Sequence, residues 1–209
     1  MKKKYFISSI VLLLLFTLWT AALTFIDVQP IGPRGSSVGF AAINAWFHSL
    51  TDVHMLLYTI TDWAGLVPVF FGFGFAVLSV VQWINRRNIL KVDFDILMLG
   101  CFYIVVLAAY LLFEELAINH RPILINGYLE ASYPSSTTLL VMCIIPTTIM
   151  QLNIRISNKI LRNSINIILT VFIAFMVIGR LISGVHWFTD IIGGMLLSAG
   201  LVTLYYSVK

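Results

Sequence analysis

At 209 residues, 60% hydrophobic and only 11% charged, with a mean hydropathy of +0.97, the chain is too apolar to be a water-soluble globular domain. Its net charge of +4 comes from thirteen Lys and Arg, ten of which fall in segments that share one side of a bilayer, so the positive charge orients the chain and does not mark a nucleic-acid surface. The fold class that remains is an all-α polytopic membrane bundle, organised as one domain over residues 1–209.

A helix needs roughly 20 apolar residues to cross the hydrocarbon core, and the sequence supplies six such runs, at 5–26, 63–84, 94–113, 134–152, 165–182 and 188–206. The first follows Lys2, Lys3 and Lys4 and passes Ala21 and Ala22, a pattern shared with secretory signal peptides. Its apolar run exceeds the ~7 to 15 residues of a signal-peptide core, so it is expected to stay as an anchor. With the N-terminus inside, Lys2, Lys3, Lys4, Arg86, Arg87, Lys91, Arg155, Lys159, Arg162 and Lys209 lie on the cytoplasmic side, leaving Arg34, Arg121 and Arg180 outside. The positive-inside rule therefore predicts a multi-pass protein of the cell membrane with both termini in the cytoplasm.

Between the first two runs, segment 27–62 opens on Pro30, Gly32, Pro33 and Gly35 and then places Phe40, Ile43, Phe47, Leu50 and Leu57 at helical spacing, with Trp46 and Tyr58 nearby. That pattern predicts an amphipathic helix lying along the outer interface, in addition to about six transmembrane helices. His48 and His54 on it read as polar-face histidines at headgroup level. Cys101 and Cys143 fall inside apolar runs without the Cys-x-x-Cys spacing of a metal site and read as packing residues.

The third run ends in Glu114-Glu115-Leu116-Ala117-Ile118-Asn119-His120-Arg121-Pro122, and the outer loop continues to Tyr133-Pro134-Ser135-Ser136-Thr137-Thr138. Pro134 suits the first turn of a helix and the hydroxyl residues suit its cap. A helix start presents free N–H groups and the positive end of a dipole, which makes it a natural phosphate cradle. Downstream the chain reads Gly179-Arg180-Leu181-Ile182-Ser183-Gly184-Val185-His186-Trp187-Phe188-Thr189-Asp190. His186 and Asp190 are four apart, a spacing that sets a carboxylate beside an imidazole on a helix, fixes its tautomer and frees the other nitrogen as nucleophile or base. Arg121, the Ser135-Ser136 turn, Arg180 and His186 all lie on the outer side by the charge count. Two guanidiniums, several N–H donors and an oriented imidazole describe a phosphoryl site. Gly193, Gly194, Ser198 and Gly200 read as close helix packing.

These residues resemble the type 2 phosphatidic acid phosphatase superfamily, whose six-span members carry Lys-x6-Arg-Pro, Pro-Ser-Gly-His and Ser-Arg-x5-His-x3-Asp in that order. The third motif is matched by Arg180, His186 and Asp190, with Gly179 in place of the Ser; Arg121-Pro122 matches the end of the first, and Pro134-Ser135-Ser136 matches the second in part. The resemblance implies that His186 attacks phosphorus to form a phosphohistidine, that Asp190 holds its ring, and that Arg121, Arg180, Ser135, Ser136 and Thr137 bind phosphate oxygens. It implies no metal or other cofactor. The substrate it implies is a phosphorylated membrane lipid presented at the outer leaflet, such as phosphatidic acid, phosphatidylglycerol phosphate or an isoprenyl pyrophosphate. Glu114 stands where the family has its first-motif Lys, and Thr137 where it has the His that protonates the leaving group. Threonine cannot serve as an acid near neutral pH; His120, next to Arg121, is the nearest candidate substitute, its other reading being a loop histidine. The alternative reading is a non-catalytic relative that binds or transports a phosphorylated lipid.

Overall fold

The structure, a computed structural model, describes residues 2–209. Among them it forms eight α-helices and two short 3-10 turns. Helix α1 (Lys2–Phe25) is followed by α2 (Ala41–Thr51), α3 (Met55–Ala64) and α4 (Leu66–Arg86), then α5 (Phe94–Leu116), α6 (Ser136–Arg155), α7 (Lys159–Ile182) and α8 (Phe188–Val208). Six helical segments are long and apolar enough to span a bilayer, with α3 and α4 running together as the second. Each of the six apolar runs read from the sequence lies within or against one of them, extended by up to two turns into the polar flanks.

The interfacial segment departs from expectation by being two helices rather than one. Asp52 adopts a left-handed φ of 50° that ends α2, and the chain turns at 52–54 before α3 begins. The turn is bound to the loop before α8, because the His54 amide donates to the Ser183 carbonyl at 3.0 Å. Gly184 in that loop has a φ of +68° and lies so close to the Asp52 carbonyl that a Cβ would collide with it, which makes glycine the residue that fits there.

In lipid, helix association depends on packing and polar contacts because tails are as apolar as side chains. Helices α6 and α8 are the most enclosed, and α1, α5 and α7 wrap them. Tyr133, buried ahead of α6, stacks parallel to Phe16 of α1 at 6.3 Å, meets Phe113 of α5 edge-on at 6.2 Å and bonds Thr20 at 2.7 Å. Phe70, Phe73, Ile104 and Ile167 on the periphery are exposed, as faces turned to lipid require. At one end of the bundle α3, α6, α7 and α8 are drawn together, the Ser135 amide bonding the Asp190 carbonyl, Asp62 meeting Arg180 and Thr61 lying against Gly179.

Candidate active site

Four polar side chains converge where a water-soluble protein would place few. Arg180 is 1% exposed, His186 4%, Arg121 8% and Asp190 fully buried. Arg180 stands on the last turn of α7, His186 in the 183–187 loop, Asp190 on the first turn of α8, and Arg121 in the connection after α5. The Arg121 Nη1 and the Arg180 Nη2 each lie 3.3 Å from the His186 Nε2. Guanidinium can only donate, so this nitrogen accepts and the neutral ring carries its proton on Nδ1. Nδ1 faces the Asp190 Oδ2 at 3.6 Å, beyond hydrogen-bond length. Burial, then the two guanidinium charges, hold the His186 pKa well below its usual 6.5. At neutral pH the imidazole is uncharged and its Nε2 lone pair points at the arginines.

Asp190 is fixed from several sides. Its Oδ2 accepts from the Trp187 amide at 2.9 Å, closing the first turn of α8, and its Oδ1 accepts from the Asn119 Nδ2 at 3.3 Å. The Ser135 amide donates to the Asp190 carbonyl at 3.0 Å, so the α6 start is tied to the α8 start. The two arginines have their own carboxylates: Arg121 Nε lies 3.0 Å from the Glu130 Oε2, and Arg180 Nη1 lies 3.5 Å from the Asp62 Oδ1. Neither buried Nε makes an aligned hydrogen bond. Tyr58 presents its ring to both cations, 4.9 Å from the Arg180 Cζ and 5.8 Å from the Arg121 Cζ. A π face there offsets part of the repulsion between two adjacent guanidiniums.

Arg121, Arg180, His186 and Asp190 are thus brought together as the sequence reading expects, and the His186–Asp190 pair meets across the loop that feeds α8 rather than within one helix. The α6 residues are placed differently. Ser135 is the N-cap, its Oγ accepting from the Thr138 amide at 3.4 Å and the Thr138 hydroxyl at 3.1 Å. Its side chain is committed to the cap, whereas Ser136 and Thr137 on the same turn are part-exposed. Glu114 lines a small cleft with Tyr110, Ser132 and Ser136.

His120 is turned elsewhere. Segments 119–121 and 130–132 pair as a short antiparallel ribbon, with Arg121 N donating to the Glu130 carbonyl and Ser132 N to the Asn119 carbonyl. Neighbours on an extended segment point to opposite faces. Asn119 reaches Asp190 and Arg121 reaches His186, so the His120 side chain faces away, and the residue serves the site through its carbonyl, which accepts from the Trp187 Nε1 at 2.7 Å.

His48 is tied to the site. The His48 Nε2 lies 3.2 Å from the Gly184 carbonyl and its ring packs 5.6 Å from Trp187, so α2 braces the His186 loop. Asn44, fully buried, bonds the Thr189 hydroxyl at 3.0 Å and amide at 3.2 Å. Sequence reasoning missed Tyr58, Asp62, Asn119 and Glu130. The signal for two of them was present, since Tyr58 and Asp62 are four apart on one helix and share a face. Asn119 and Glu130 are joined to the site by chain pairing that no periodicity announces.

The family model of the PAP2 superfamily matches residues 113–209, which contain Arg121, Arg180, His186 and Asp190. Among solved structures the chain is similar to the crystal structure of the first transmembrane PAP2 type phosphatidylglycerolphosphate phosphatase from Bacillus subtilis. The similarity covers 96% of this chain and 94% of that one at a TM-score of 0.64 and 17% identity, a likeness of fold. No curated protein sequence matches the chain.

Proposed function

We propose that this chain, whose residues 113–209 belong to the PAP2 superfamily, hydrolyses a phosphorylated membrane lipid through a phosphohistidine on His186. The observation that carries the reading is the convergence of two buried guanidiniums on one unprotonated imidazole nitrogen, each 3.3 Å away. A tetrahedral phosphoryl group set between them takes hydrogen bonds from both forks and offers its phosphorus to the Nε2 lone pair. The Ser136–Thr137 turn of α6 lies beside the cluster as a further source of N–H donors. Asp190 steadies the ring and balances the positive charge that develops on it as the P–N bond forms.

A lipid substrate follows from the setting. A cleft of about 730 Å³ between α4, α5 and α6, lined by Val69, Phe73, Ile104, Leu107 and Leu140, begins one helical turn beneath the α6 start. It suits a hydrocarbon chain whose phosphate occupies the arginine pair. Lipid phosphomonoesters and isoprenyl diphosphates share that chemistry, and the charge count of the loops supports a cluster at the outer membrane face with both termini in the cytoplasm. Thr137, without acid–base capacity, favours a second reading in which the site binds the lipid phosphate without turning it over.

The deciding experiment measures phosphate release from both lipid classes by purified protein in detergent and by right-side-out vesicles given substrate externally. Release is expected in both, with His186→Ala reducing it on the order of 10³-fold or more. Tight lipid-phosphate binding with no release in either preparation would leave the binder, and release in detergent alone would reverse the topology.

A further inference from the structure

The site as described has a nucleophile and an anion clamp but lacks a group to move protons, since Thr137 cannot and His120 faces away. We infer that Asp62 is that group: it protonates the departing oxygen and then activates the water that hydrolyses the phosphohistidine. The inference rests on the phosphatase reading above.

Its basis is the position of α3. Gly179, where the family has Ser, lies against Thr61: a Cβ there would stand 2.8 Å from the Thr61 Cγ2, so glycine lets α3 settle onto the end of α7. Asp62, the next residue on α3, brings its Oδ1 to 3.5 Å from the Arg180 Nη1, while the other terminal nitrogen of the same guanidinium faces His186 Nε2. The carboxylate and the nucleophile are therefore one guanidinium apart, on the edge where a phosphoryl oxygen would sit. Thr137 flanks the same place, its methyl 3.7 Å from the position a Gly65 Cβ would take, one turn beyond Asp62. The carboxylate thus arrives from α3 beside the first turn of α6, which carries Thr137.

The other carboxylates fit the role less well. Glu130 is held by the Nε of Arg121, on the opposite side of that guanidinium from His186, and Asp190 is fully buried behind the ring. Glu114 borders the Tyr110–Ser136 cleft. The Asp62 side chain is 54% exposed, so water and a leaving group can reach it. The charged group that faces it is Arg180 on α7.

The steps balance. In the first, the Asp62 carboxylate takes the proton that a monoanionic phosphoryl group brings to the site, the His186 Nε2–P bond forms, the P–O bond to the leaving group breaks, and the departing oxygen takes that proton from Asp62. In the second, the Asp62 carboxylate takes a proton from water, the water oxygen bonds phosphorus and the P–N bond breaks, returning His186 neutral, and the proton on Asp62 leaves with the phosphate. The sum is one water consumed, with one alcohol (or phosphate) and one inorganic phosphate released.

The test uses full-length protein in detergent with an isoprenyl diphosphate labelled at its terminal phosphate and with a lipid phosphomonoester. An isoprenyl monophosphate leaves from the terminal phosphorus without much help, so Asp62→Asn should still phosphorylate His186 but fail to clear it, and an acid-labile labelled protein should accumulate while steady-state turnover falls about 10²- to 10⁴-fold. Monoester turnover should fall further, since both steps are then impaired. Thr137→His in the Asp62→Asn background should discharge the label. Size-exclusion profile and thermal midpoint establish that the variant is folded, and Asp62→Glu supplies a second carboxylate geometry that should retain part of the turnover. Wild-type turnover in Asp62→Asn, or reduced turnover without trapped label on both substrates, overturns the inference while leaving the His186 reading intact. Trapped label in Glu130→Gln instead assigns the role to Glu130 and also overturns it. A wild-type protein inactive on both substrates removes the phosphatase reading, a different failure.

Discussion

Arginines stand at both ends of this bundle, and they are used in opposite ways. At the end away from His186, Arg155 pairs with the Asp95 Oδ2 at 3.1 Å, donates to the Gln151 carbonyl at 3.2 Å and also bonds the Gln151 side chain, which in turn donates to the Tyr205 hydroxyl at 3.0 Å. Arg86 likewise meets the Asp93 Oδ1 at 2.7 Å, and Gln82 holds the other oxygen of that carboxylate at 2.8 Å. Those are closed sets in which donors meet carboxylates and carbonyls that the fold supplies. At the His186 end, Arg121 and Arg180 aim their terminal nitrogens at one neutral lone pair, and both Nε atoms lie without an aligned acceptor. A set with more donors than acceptors, held at 8% and 1% exposure, is suited to an oxyanion.

The comparison breaks most visibly through substitution at one member of each set. Arg180→Ala should lower phosphate release roughly 10²- to 10³-fold, the range seen when one pre-organised donor to a developing charge is removed. Arg180→Lys should recover little of it, because an ammonium cannot span Asp62 and the phosphoryl group as a planar fork does. Arg155→Gln should do the reverse, lowering the thermal midpoint by a few degrees while turnover stays within about twofold. Kinetic assays paired with thermal melts of the three variants check this. A large activity loss in Arg155→Gln with an unchanged midpoint would erase the distinction between the two ends.

A smaller effect sharpens the description of the set around His186. Asp190→Asn keeps a side chain able to accept from the Trp187 amide, so the α8 start should hold. What it removes is the negative charge 3.6 Å from the His186 Nδ1, which stabilises the ring only once it becomes cationic. The expected outcome is a kcat lower by on the order of tenfold or more with KM nearly unchanged. A rise in KM with kcat intact, in steady-state kinetics on either lipid class, would instead make Asp190 a substrate-binding or purely architectural residue.

Much of this was legible in the chain. Runs of apolar residues set the six spans because a bilayer imposes one length scale, and the motif spacing singled out Arg121, Arg180, His186 and Asp190. The break in segment 27–62 was not legible, since helical spacing on both sides of Asp52 looks continuous and the left-handed turn there is stabilised by contacts with Ser183 and Gly184, far along the chain. For the same reason His48 read as a headgroup histidine although it braces the Gly184 carbonyl. His120 was a plausible acid by adjacency to Arg121, yet adjacency on an extended ribbon is what turns it away. Glu130 and Asn119 are placed by that ribbon, and Tyr58 and Asp62 by the close approach that Gly179 permits, so these four depend on tertiary contacts that sequence periodicity does not encode.

The subtlest expected effect is in pH dependence. Burial first, and then the charges of Arg121 and Arg180, hold His186 neutral well below its usual pKa. For a nucleophile that must be unprotonated, the acid limb of kcat/KM reports the free protein's His186, so with a diphosphate substrate that limb should lie below pH 6.5. The stability sign follows from the same shift. The unfolded chain binds a proton near the ordinary histidine value while the folded site declines it, so stability attributable to this group falls as pH drops below about 6.5. Arg121→Gln removes one of the two opposing charges and should move the limb upward toward the ordinary value, while Arg155→Gln, at the other end of the bundle, should leave it in place. Burial remains in the Arg121→Gln protein, so the limb should stay short of the full return. A limb unmoved by Arg121→Gln would mean that burial alone sets the proton affinity of His186, and that Arg121 and Arg180 act on the phosphoryl group without tuning the nucleophile.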